Sequence, residues 1–287
     1  MIDEVDGARA ILAPAKLTTN LRIVGRRSDG YHLIESEMVS VSLFDEILLW
    51  PKAQGEVASL AIIDPLELGL NGFEMDQIPR DSKNLICRAL ALSGVQANVE
   101  VVKRIPPGSG LGGGSSDAAA VIRHLRNDCD TAAILSLGAD IPFCVQVGRA
   151  KVSGVGEVVS PIGASDAKFI LFLVPVHSPT RAVYRAYDEM AASDADRPRD
   201  RQGFNDLERA ALAVSPLLRS YRDFLASILG RAPQMAGSGS SFFVEGEFAD
   251  FGLDSERASD GLQKAVLSEG ALSVIALQVH GVGQRDL

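Results

Sequence analysis

This sequence of 287 residues has few cysteines, no long apolar run and no excess of basic residues. Its three cysteines (Cys87, Cys129 and Cys144) are widely spaced and form no Cys-x-x-Cys pair, which argues against a zinc site and indicates a reducing cytosol. No apolar segment reaches the roughly 18 residues needed to span a bilayer. The acidic start lacks the basic region and apolar run of a secretory signal. We therefore expect a cytoplasmic protein.

The charge balance excludes a further class of partner. The formal net charge is −9 at pH 7, whereas binding to nucleic acids and membrane surfaces favours basic faces. We therefore expect no nucleic acid and no membrane among the partners. An anionic ligand would have to be held locally, by backbone N–H groups and a few lysines and arginines.

The chain is organised around residues 103–120, where a strand ends at two prolines, a glycine-rich loop follows and an Ala-rich helix begins. Five of the seven residues 108–114 are glycine, so this backbone can adopt positive φ and lie close to a ligand. Ser115, Ser116 and Asp117 open the predicted helix. Free N–H groups that run into a helix N-terminus make an anion cradle, and phosphate is its usual anion. The stretch predicts the triphosphate-binding loop of a kinase.

Two other phosphate-binding motifs match this stretch only in part. Residues 108–113 fit Gly-x-Gly-x-x-Gly, but they stand in the wrong place for a dinucleotide-binding fingerprint. Such a fingerprint follows the first strand of its domain and has an acidic residue after the next strand, whereas several predicted strands precede this loop. A Walker A loop is excluded because Gly-Lys-Ser/Thr does not close the run. A glycine-rich turn without a ligand is the remaining alternative, although such turns rarely carry paired serines set to cap a helix.

The pattern of apolar residues predicts an α+β fold with two domains, residues 1–160 and 161–287. In the first we expect Asp81 or Ser82 to cap a helix, and Asp140 to precede an apolar strand. The predicted strands of this domain are 11–25, 38–44, 47–50, 99–105 and 151–157, and its helices are 81–92, one after the loop that stops near 127–128, and 131–137. The second domain has predicted strands at 169–174, 242–245 and 273–279, and helices at 180–192, 205–214, 217–229 and 255–267.

Three separated blocks carry one chemistry: Pro14-Ala-Lys16, the loop 106–117 and Ala236-Gly-Ser-Gly239. In this order and spacing they resemble the three motifs of the small-molecule kinase superfamily that includes galactokinase, homoserine kinase and mevalonate kinase, the GHMP kinases. The resemblance implies a ribosomal-S5-like N-terminal domain that binds ATP and an α+β C-terminal domain.

Further blocks narrow the resemblance. With Pro14-Ala-Lys16, the chain is similar to the 4-diphosphocytidyl-2-C-methyl-D-erythritol kinase family in Gly30-Tyr-His32, Gly110-Leu-Gly-Gly-Gly-Ser-Ser116, Gly138-Ala-Asp-Ile-Pro-Phe143 and Phe204-Asn-Asp-Leu-Glu208. This resemblance implies ATP-dependent phosphorylation of the 2-hydroxyl of a small, CDP-linked substrate in the non-mevalonate isoprenoid pathway.

Two residues are candidates for catalysis. Phosphoryl transfer needs positioning, charge neutralisation and an acceptor for the hydroxyl proton. Asp140 is the candidate base, and Lys16 would sit beside it, keep it charged and orient the attacking hydroxyl. The resemblance implies the same two positions. The alternatives are a lysine that snorkels at a strand edge and an aspartate that only forms a turn.

ATP and Mg²⁺ are the expected cofactors. Backbone N–H groups from Gly108 to Ser116 would hold the phosphates, and the hydroxyl of Ser115 or Ser116 would ligate Mg²⁺, which usually binds few protein groups besides the phosphates. Lys103 matches a nucleotide-contacting lysine of the family, and a solvent-facing lysine at a strand edge is the alternative. The candidate ATP-binding residues are Lys103, Pro107, Gly108, Ser109, Gly110, Leu111, Gly112, Gly113, Gly114, Ser115 and Ser116.

For the substrate, the resemblance implies that Tyr31 stacks on the cytosine ring and that His32 lies at its polar edge, contacts that both side chains can make. Tyr184 sits where the family has a second stacking aromatic, and core packing with Val183 and Tyr187 is the alternative. Gly237 and Gly239 would approach the methylerythritol or the phosphates, unless they only form a hairpin turn. The remaining candidate substrate-binding residues are Thr18, Asn20 and Thr180.

Three departures from the family pattern bear on the substrate. Thr18 replaces the usual asparagine, so Asn20 would have to make the contact of that asparagine. Ser109 replaces a loop glycine. The segment 127–140 is shorter than usual. The alternatives are therefore a kinase of another small alcohol, such as mevalonate or homoserine, or a nucleotide-binding protein without turnover. A dehydrogenase is a more distant alternative. We expect a monomer or weak homodimer.

Overall fold

The computed structural model describes residues 4–5, 8–53, 58–64, 73, 75–125, 130–163, 165–193, 205–258 and 261–287. Successive halves of the chain build two β-sheets, and each sheet packs with helices around its own apolar core. A third apolar cluster contains side chains from both sheets. The fold is α+β, as the sequence predicts.

The first sheet is dominated by a long hairpin of two strands that run for 19 and 20 residues. Its neighbours pair antiparallel except for the fourth and fifth strands, which are parallel. The seven strands are β1 (Glu4–Val5), β2 (Ala8–Arg26), β3 (His32–Pro51), β4 (Leu60–Ile63), β5 (Ala97–Val102), β6 (Arg149–Gly154) and β7 (Val158–Pro161).

Strand β3 is continuous where the sequence predicted a break between two strands. Asp45 stays in the ladder and pairs with Ala13 of β2. Its buried carboxylate is tolerated because the backbone N–H groups of Arg104 and Ile105 donate to Asp45 Oδ1, at 2.6 and 2.8 Å. The predicted break is wrong, and Asp45 is part of the support beneath the glycine-rich loop.

Four helices accompany the first sheet: α1 (Leu85–Leu92), α2 (Gly113–His124), α3 (Thr131–Leu137) and α4 (Ile141–Gln146). Asn84 caps α1, since its side chain accepts a hydrogen bond from Ile86 N at 2.9 Å. The predicted caps Asp81 and Ser82 are therefore wrong.

Two predictions near the loop need correction. Helix α2 begins at Gly113, and its N-cap is Gly112, in the left-handed region at φ 70°, so the paired serines lie in the first turn and do not cap it. The predicted stop at 127–128 lies outside the described residues. Asp140 precedes helix α4 and not an apolar strand, because Pro142 occupies the first turn, where its missing N–H costs no hydrogen bond.

The second sheet is antiparallel throughout, in the order β11-β12-β13-β8-β10-β9. Its strands are β8 (Lys168–Leu173), β9 (Gln234–Met235), β10 (Phe242–Glu245), β11 (Glu256–Arg257), β12 (Gln263–Glu269) and β13 (Leu272–His280). The helices of this half are α5 (Thr180–Ser193), α6 (Glu208–Val214) and α7 (Pro216–Leu229).

The predicted helix at 255–267 is wrong, because this segment contains strands β11 and β12. Strand β12 pairs with β13 from Lys264 to Glu269. Gly270 lies between the two strands at φ +57°, a conformation that suits a tight hairpin turn. The apolar residues of 255–267 have a helix-like spacing, but the pairing of β12 with β13 extends the sheet and determines the structure here.

The chain passes from one sheet to the other between Pro161 and Lys168. The two halves also touch elsewhere, through a β-bridge between Leu21 and Asn205 and through the shared apolar cluster. The division into domains at 160/161 therefore remains a proposal. Within the described part of the chain, none of the helices has the length and apolar character needed to cross a membrane.

Candidate active site

Lys16 and Asp140 meet in the interior of the first half. Lys16 lies on β2 and is buried, so it does not snorkel to solvent. Its ammonium Nζ lies 3.4 Å from Asp140 Oδ2 and donates to Thr18 Oγ1 at 3.2 Å. Asp140 precedes α4 and keeps 36% of its side chain exposed, so a second reactant can reach the carboxylate. The pair combines a proton acceptor with a fixed positive charge.

The glycine-rich loop is held directly against the strand that carries Lys16. Lys16 N donates to Leu111 O at 2.9 Å, and Ser116 Oγ donates to Pro14 O at 2.6 Å. A Cβ at Gly112 would lie 2.7 Å from Lys16 Cγ, so only glycine lets the lysine stem pass. The loop therefore positions the Lys16 side chain as well as presenting its own N–H groups.

The second glycine turn, residues 235–241, packs on the first. A Cβ at Gly110 would lie 2.2 Å from Ala236 O and 2.9 Å from Gly239 O, and Ser241 N donates to Ser109 O at 3.0 Å. This turn is more than a hairpin connection, because it forms one wall around the first loop.

The same turn faces the Lys16 ammonium. A Cβ at Gly237 would lie 3.5 Å from Lys16 Nζ and 3.7 Å from Thr18 Oγ1. The turn is anchored from outside, because Thr180 Oγ1 lies 2.9 Å from Ser238 Oγ and Ser178 Oγ donates to Ser238 O at 2.6 Å. Gly237 thus lies beside the Lys16–Asp140 pair, and Thr180 lies against the turn.

The block at 205–208 connects the two halves of the site. Asn205 Nδ2 donates to the carbonyl oxygens of Met235 and Gly237, which fixes the second glycine turn. Asp206 Oδ2 accepts from Ile23 N at 2.8 Å, which fixes the end of β2. Adjacent residues therefore hold the glycine turn and the hairpin that carries Tyr31 and His32.

The hairpin tip presents Tyr31 and His32 differently. The Tyr31 side chain is 62% exposed. His32 is largely buried, with Nε2 2.6 Å from Asp188 Oδ1 and its ring centroid 4.8 Å from that of Tyr184. Burial, together with the negative charge of Asp140, raises the pKa of Tyr184 to about 12. Tyr184 therefore packs beside the second core and also contacts His32. It lies near enough to Asp140 for the charge of that carboxylate to affect its pKa.

Sequence reasoning missed Asp188. It lies one helical turn after Tyr184 on α5, and that i, i+4 spacing was the available signal.

Lys103 is buried beneath the loop and does not face solvent. Its ammonium donates to Asp117 Oδ2 at 2.7 Å and to Asp45 Oδ2. Burial alone would lower the pKa of Lys103, but the charges of Asp117 and Asp45 outweigh it and raise that pKa above its ordinary value. These three residues, the Asp45–Lys103–Asp117 network, join β3, the end of β5 and α2 just where the loop is anchored.

Asp117 is the member of this network with the fewest hydrogen bonds to its carboxylate. Burial raises the pKa of Asp117 to about 8, although the charge of Lys103 opposes the shift. Its second oxygen, Oδ1, is buried without a hydrogen-bond partner, whereas Asp45 has both backbone N–H donors and Lys103. Asp117 is therefore the carboxyl of the pair that holds a proton more readily.

The two candidate metal-binding serines differ in their surroundings. Ser116 is fully buried and its hydroxyl is committed to Pro14 O. Ser115 is partly exposed, and its Oγ lies 3.9 Å from where a Cβ at Gly138, two residues before Asp140, would be. The described residues contain no cluster of three or more His, Cys, Asp or Glu that could hold a metal ion.

Comparison with known proteins gives a consistent result. Residues 82–159 match the family described as GHMP kinases N terminal domain. The chain is 36% identical over 245 residues to 4-diphosphocytidyl-2-C-methyl-D-erythritol kinase of Paracoccus denitrificans (strain Pd 1222), covering 80% of this chain and 84% of that protein. The enzyme of the same name from Thiobacillus denitrificans (strain ATCC 25259 / T1) is 34% identical, covering 83% of this chain and 86% of that protein.

This chain belongs to the 4-diphosphocytidyl-2-C-methyl-D-erythritol kinase family. A crystal structure of 4-(cytidine 5'-diphospho)-2C-methyl-D-erythritol kinase matches 95% of this chain and 100% of that chain, with a TM-score of 0.65 and 28% identity. A mevalonate kinase from Methanococcus jannaschii matches 98% of this chain and 100% of that chain with a TM-score of 0.53 at 12% identity, which shows the shared fold alone. The resemblance seen in the sequence blocks is confirmed, and ATP is the donor that a kinase family implies.

Two departures of this kinase from the family pattern have a local explanation. Ser109 replaces a glycine, and its Oγ donates to Pro106 O at 2.6 Å, which closes the loop on itself. Thr18 accepts a hydrogen bond from Lys16 Nζ. A β-bulge between Thr18 and Asn20 breaks the strand alternation, so their spacing does not carry Asn20 onto the face of Lys16 and Thr18.

The packing of the two glycine turns predicts that Gly110→Ala destabilises this kinase by several kcal/mol, because a Cβ would overlap two carbonyl oxygens at a positive φ. Gly94→Ala is the matched control. Gly94 also has a positive φ but has no atom within 4 Å of its Cβ position, so its substitution costs only about 1 kcal/mol of strain. Urea unfolding of the two variants measures the difference, and equal losses would contradict the packing argument.

The raised pKa of Asp117 predicts a pH-dependent stability. Between about pH 4, the unfolded pKa, and about pH 8, the folded state holds a proton that the unfolded state has lost. The free energy of unfolding therefore falls as pH rises, by up to about 1.4 kcal/mol per pH unit. Asp117→Asn cannot titrate and should flatten this slope in urea unfolding from pH 5 to 8. Asp223→Asn, at a largely exposed position, should leave it unchanged, and a wild-type slope in Asp117→Asn would contradict the assignment.

Proposed function

We propose that this chain transfers the γ-phosphoryl group of ATP to the 2-hydroxyl of 4-diphosphocytidyl-2-C-methyl-D-erythritol, giving the 2-phosphate and ADP. The observation that carries the proposal is the Lys16–Asp140 pair at 3.4 Å, enclosed by two glycine turns in a chain of this family. The substrate is the one that the relatives' name states.

Asp140 and Lys16 are the proposed catalytic residues. Asp140 accepts the proton of the attacking hydroxyl, and its partial exposure leaves room for that hydroxyl. The Lys16 ammonium orients the carboxylate and attracts the incoming phosphoryl oxygens. Because its stem is confined by Gly112, little side-chain entropy remains to be lost when the reactants bind.

The loop from Pro107 to Ser116 is the proposed binding site for the ATP phosphates. Its N–H groups continue into the N-terminus of α2, a helix of 12 residues whose dipole favours negative charge. Gly108, Ser109, Gly110, Leu111, Gly112, Gly113 and Gly114 complete the loop. Lys103 belongs to this site as a support, since its ammonium is already held by two carboxylates.

Mg²⁺ is the proposed metal, and Ser115 is its proposed protein ligand. The Ser115 hydroxyl has no hydrogen-bond partner among the described residues, and one neutral oxygen beside phosphates suits an ion that keeps most of its coordination for water and phosphate. When bound, the metal neutralises the charge of the phosphates.

The cytidine end of the proposed site is the cluster around the hairpin tip. Tyr31 and Tyr184 supply ring faces, and His32 supplies the polar contact. Gly237, Gly239, Thr18 and Thr180 surround the methylerythritol end in this proposal, which leaves out Asn20 because the β-bulge turns it away from the face of Thr18. Neither nucleic acid nor a membrane takes part, and the enzyme acts in the cytoplasm as a monomer or weak homodimer.

A second candidate is the phosphorylation of another small alcohol. Homoserine kinase from Cytophaga hutchinsonii has the same fold, with a TM-score of 0.51 at 14% identity. That reaction would not need the aromatic cluster at the hairpin tip, so Tyr31→Ala and His32→Ala would leave it unaffected.

The first prediction of this proposal concerns turnover. Purified protein with Mg-ATP should release ADP with the CDP-linked acceptor and not with mevalonate or homoserine. Asp140→Asn should lower kcat by about 10²- to 10⁴-fold, the range for loss of a general base, while Asp223→Asn keeps the wild-type rate. Turnover with another alcohol alone would reject the proposed substrate, and an active Asp140→Asn would reject the base.

The second prediction concerns the metal. Ser115→Ala should raise the Mg²⁺ concentration that gives half-maximal activity, because the only proposed protein ligand is lost. Ser116→Ala should lower the free energy of unfolding by about 1 kcal/mol, the usual value of one hydrogen bond, without changing the Mg²⁺ requirement. If Ser116→Ala raised the Mg²⁺ concentration for half-maximal activity and Ser115→Ala did not, the metal ligand would be Ser116.

A further inference from the structure

Asp188 of α5 holds the imidazole of His32. Asp188 Oδ1 lies 2.6 Å from His32 Nε2, and the His32 side chain is only 10% exposed. A contact this short between a ring nitrogen and a carboxylate requires a proton between the two atoms. Nε2 therefore carries hydrogen and donates it to Asp188.

The other ring nitrogen of His32, Nδ1, bonds to none of the described residues. Two ring neighbours restrict how the imidazole can turn, since the ring of Tyr184 lies at 4.8 Å with a tilt of 34° and that of Tyr187 meets it edge-on at 6.2 Å. With Nε2 occupied and the ring packed, Nδ1 is the atom that remains for a ligand.

The charge on His32 decides what Nδ1 can do. A neutral ring with hydrogen on Nε2 has a lone pair on Nδ1 and accepts a hydrogen bond, whereas a charged ring donates from both nitrogens. The charged groups that face His32 are Asp188 and Arg26, whose Nη1 lies 3.3 Å from Asp188 Oδ2. Arg26 and His32 thus share the two oxygens of the Asp188 carboxylate, and in the neutral ring the hydrogen held on Nε2 leaves Nδ1 as the acceptor.

We propose that Asp188 is a positioning residue that fixes the Nε2–H tautomer of His32 and so makes Nδ1 an acceptor, which selects a pyrimidine with a 4-amino group over one with a 4-keto group. The inference rests on the proposed function, because it concerns the cytidine end of that site. An amino group donates to Nδ1, whereas the keto oxygen of uracil would place two acceptors against each other, a mismatch that recognition sites reject strongly.

The tautomer is tested by ¹⁵N NMR of protein labelled in its four histidines, with His32→Gln used to assign the His32 signals. Wild type at the assay pH should show a protonated Nε2 and an unprotonated Nδ1 for His32. A proton on Nδ1, with or without one on Nε2, would overturn the inference. This measurement needs no substrate and no variant of Asp188.

The selectivity is tested with CDP-linked methylerythritol and its UDP-linked counterpart. Asp188→Leu removes the acceptor at similar volume and should reduce the ratio of kcat/KM for the CDP compound to that for the UDP compound by about 10- to 100-fold. The loss should appear in KM more than in kcat, because ground-state binding changes. Glu189→Gln is the matched control, since Glu189 is the next residue of α5 and is 73% exposed.

An unchanged ratio in a folded Asp188→Leu protein would overturn the inference. Absence of any turnover by wild type with the CDP compound would instead reject the proposed function, and the histidine spectra would then still decide whether Asp188 sets the tautomer. Should Asp188→Leu not fold, the wild-type spectra remain the deciding measurement.

Discussion

The candidate active site depends on the close approach of two glycine turns to Lys16. Gly112 gives the lysine stem its path, and Gly110 brings the second turn within contact of the first. Both glycines have positive φ, where a side chain would be strained even without a clash. Once these backbones touch, the position of the Lys16 ammonium against Asp140 follows from packing. A site built from backbone contacts is rigid, which suits a reaction governed by positioning.

An acidic protein that binds a triphosphate needs its positive charges in defined places. The chain has a net charge of −9, and the two buried lysines near the loop are each paired with carboxylates. Lys16 has one carboxylate and faces the site, whereas Lys103 has two and supports the loop from beneath. In the proposed site, attraction of phosphate therefore falls to backbone N–H groups, the helix dipole and the single charge of Lys16. The arrangement also explains why Asp117, the least satisfied carboxyl, has a raised pKa.

The site is assembled from both halves of the chain. Asn205 and Asp206 are adjacent, yet one holds the second glycine turn and the other the end of β2. Asp188, from the second half, holds His32 of the first. The groups proposed to face the substrate therefore keep their geometry only while the two sheets stay packed through their shared apolar cluster.

The amino-acid sequence by itself determined the α+β class, the kinase family and the blocks that carry Lys16, Asp140 and the loop, because glycine spacing and polar residues in apolar surroundings are local signals. It failed at the break proposed at Asp45 and at the helix proposed for 255–267, and the solvent-facing alternative for Lys103 is wrong. The continuous strand at Asp45 and the burial of Lys103 depend on partners distant in the chain, Arg104 and Ile105 for Asp45 and Asp45 for Lys103. The strands at 255–267 depend on pairing with β13, whose place in the sheet is set by the distant strand β8. Only the tertiary structure brought Asp188 to His32, since 156 residues separate them and no local pattern specifies a contact made by packing.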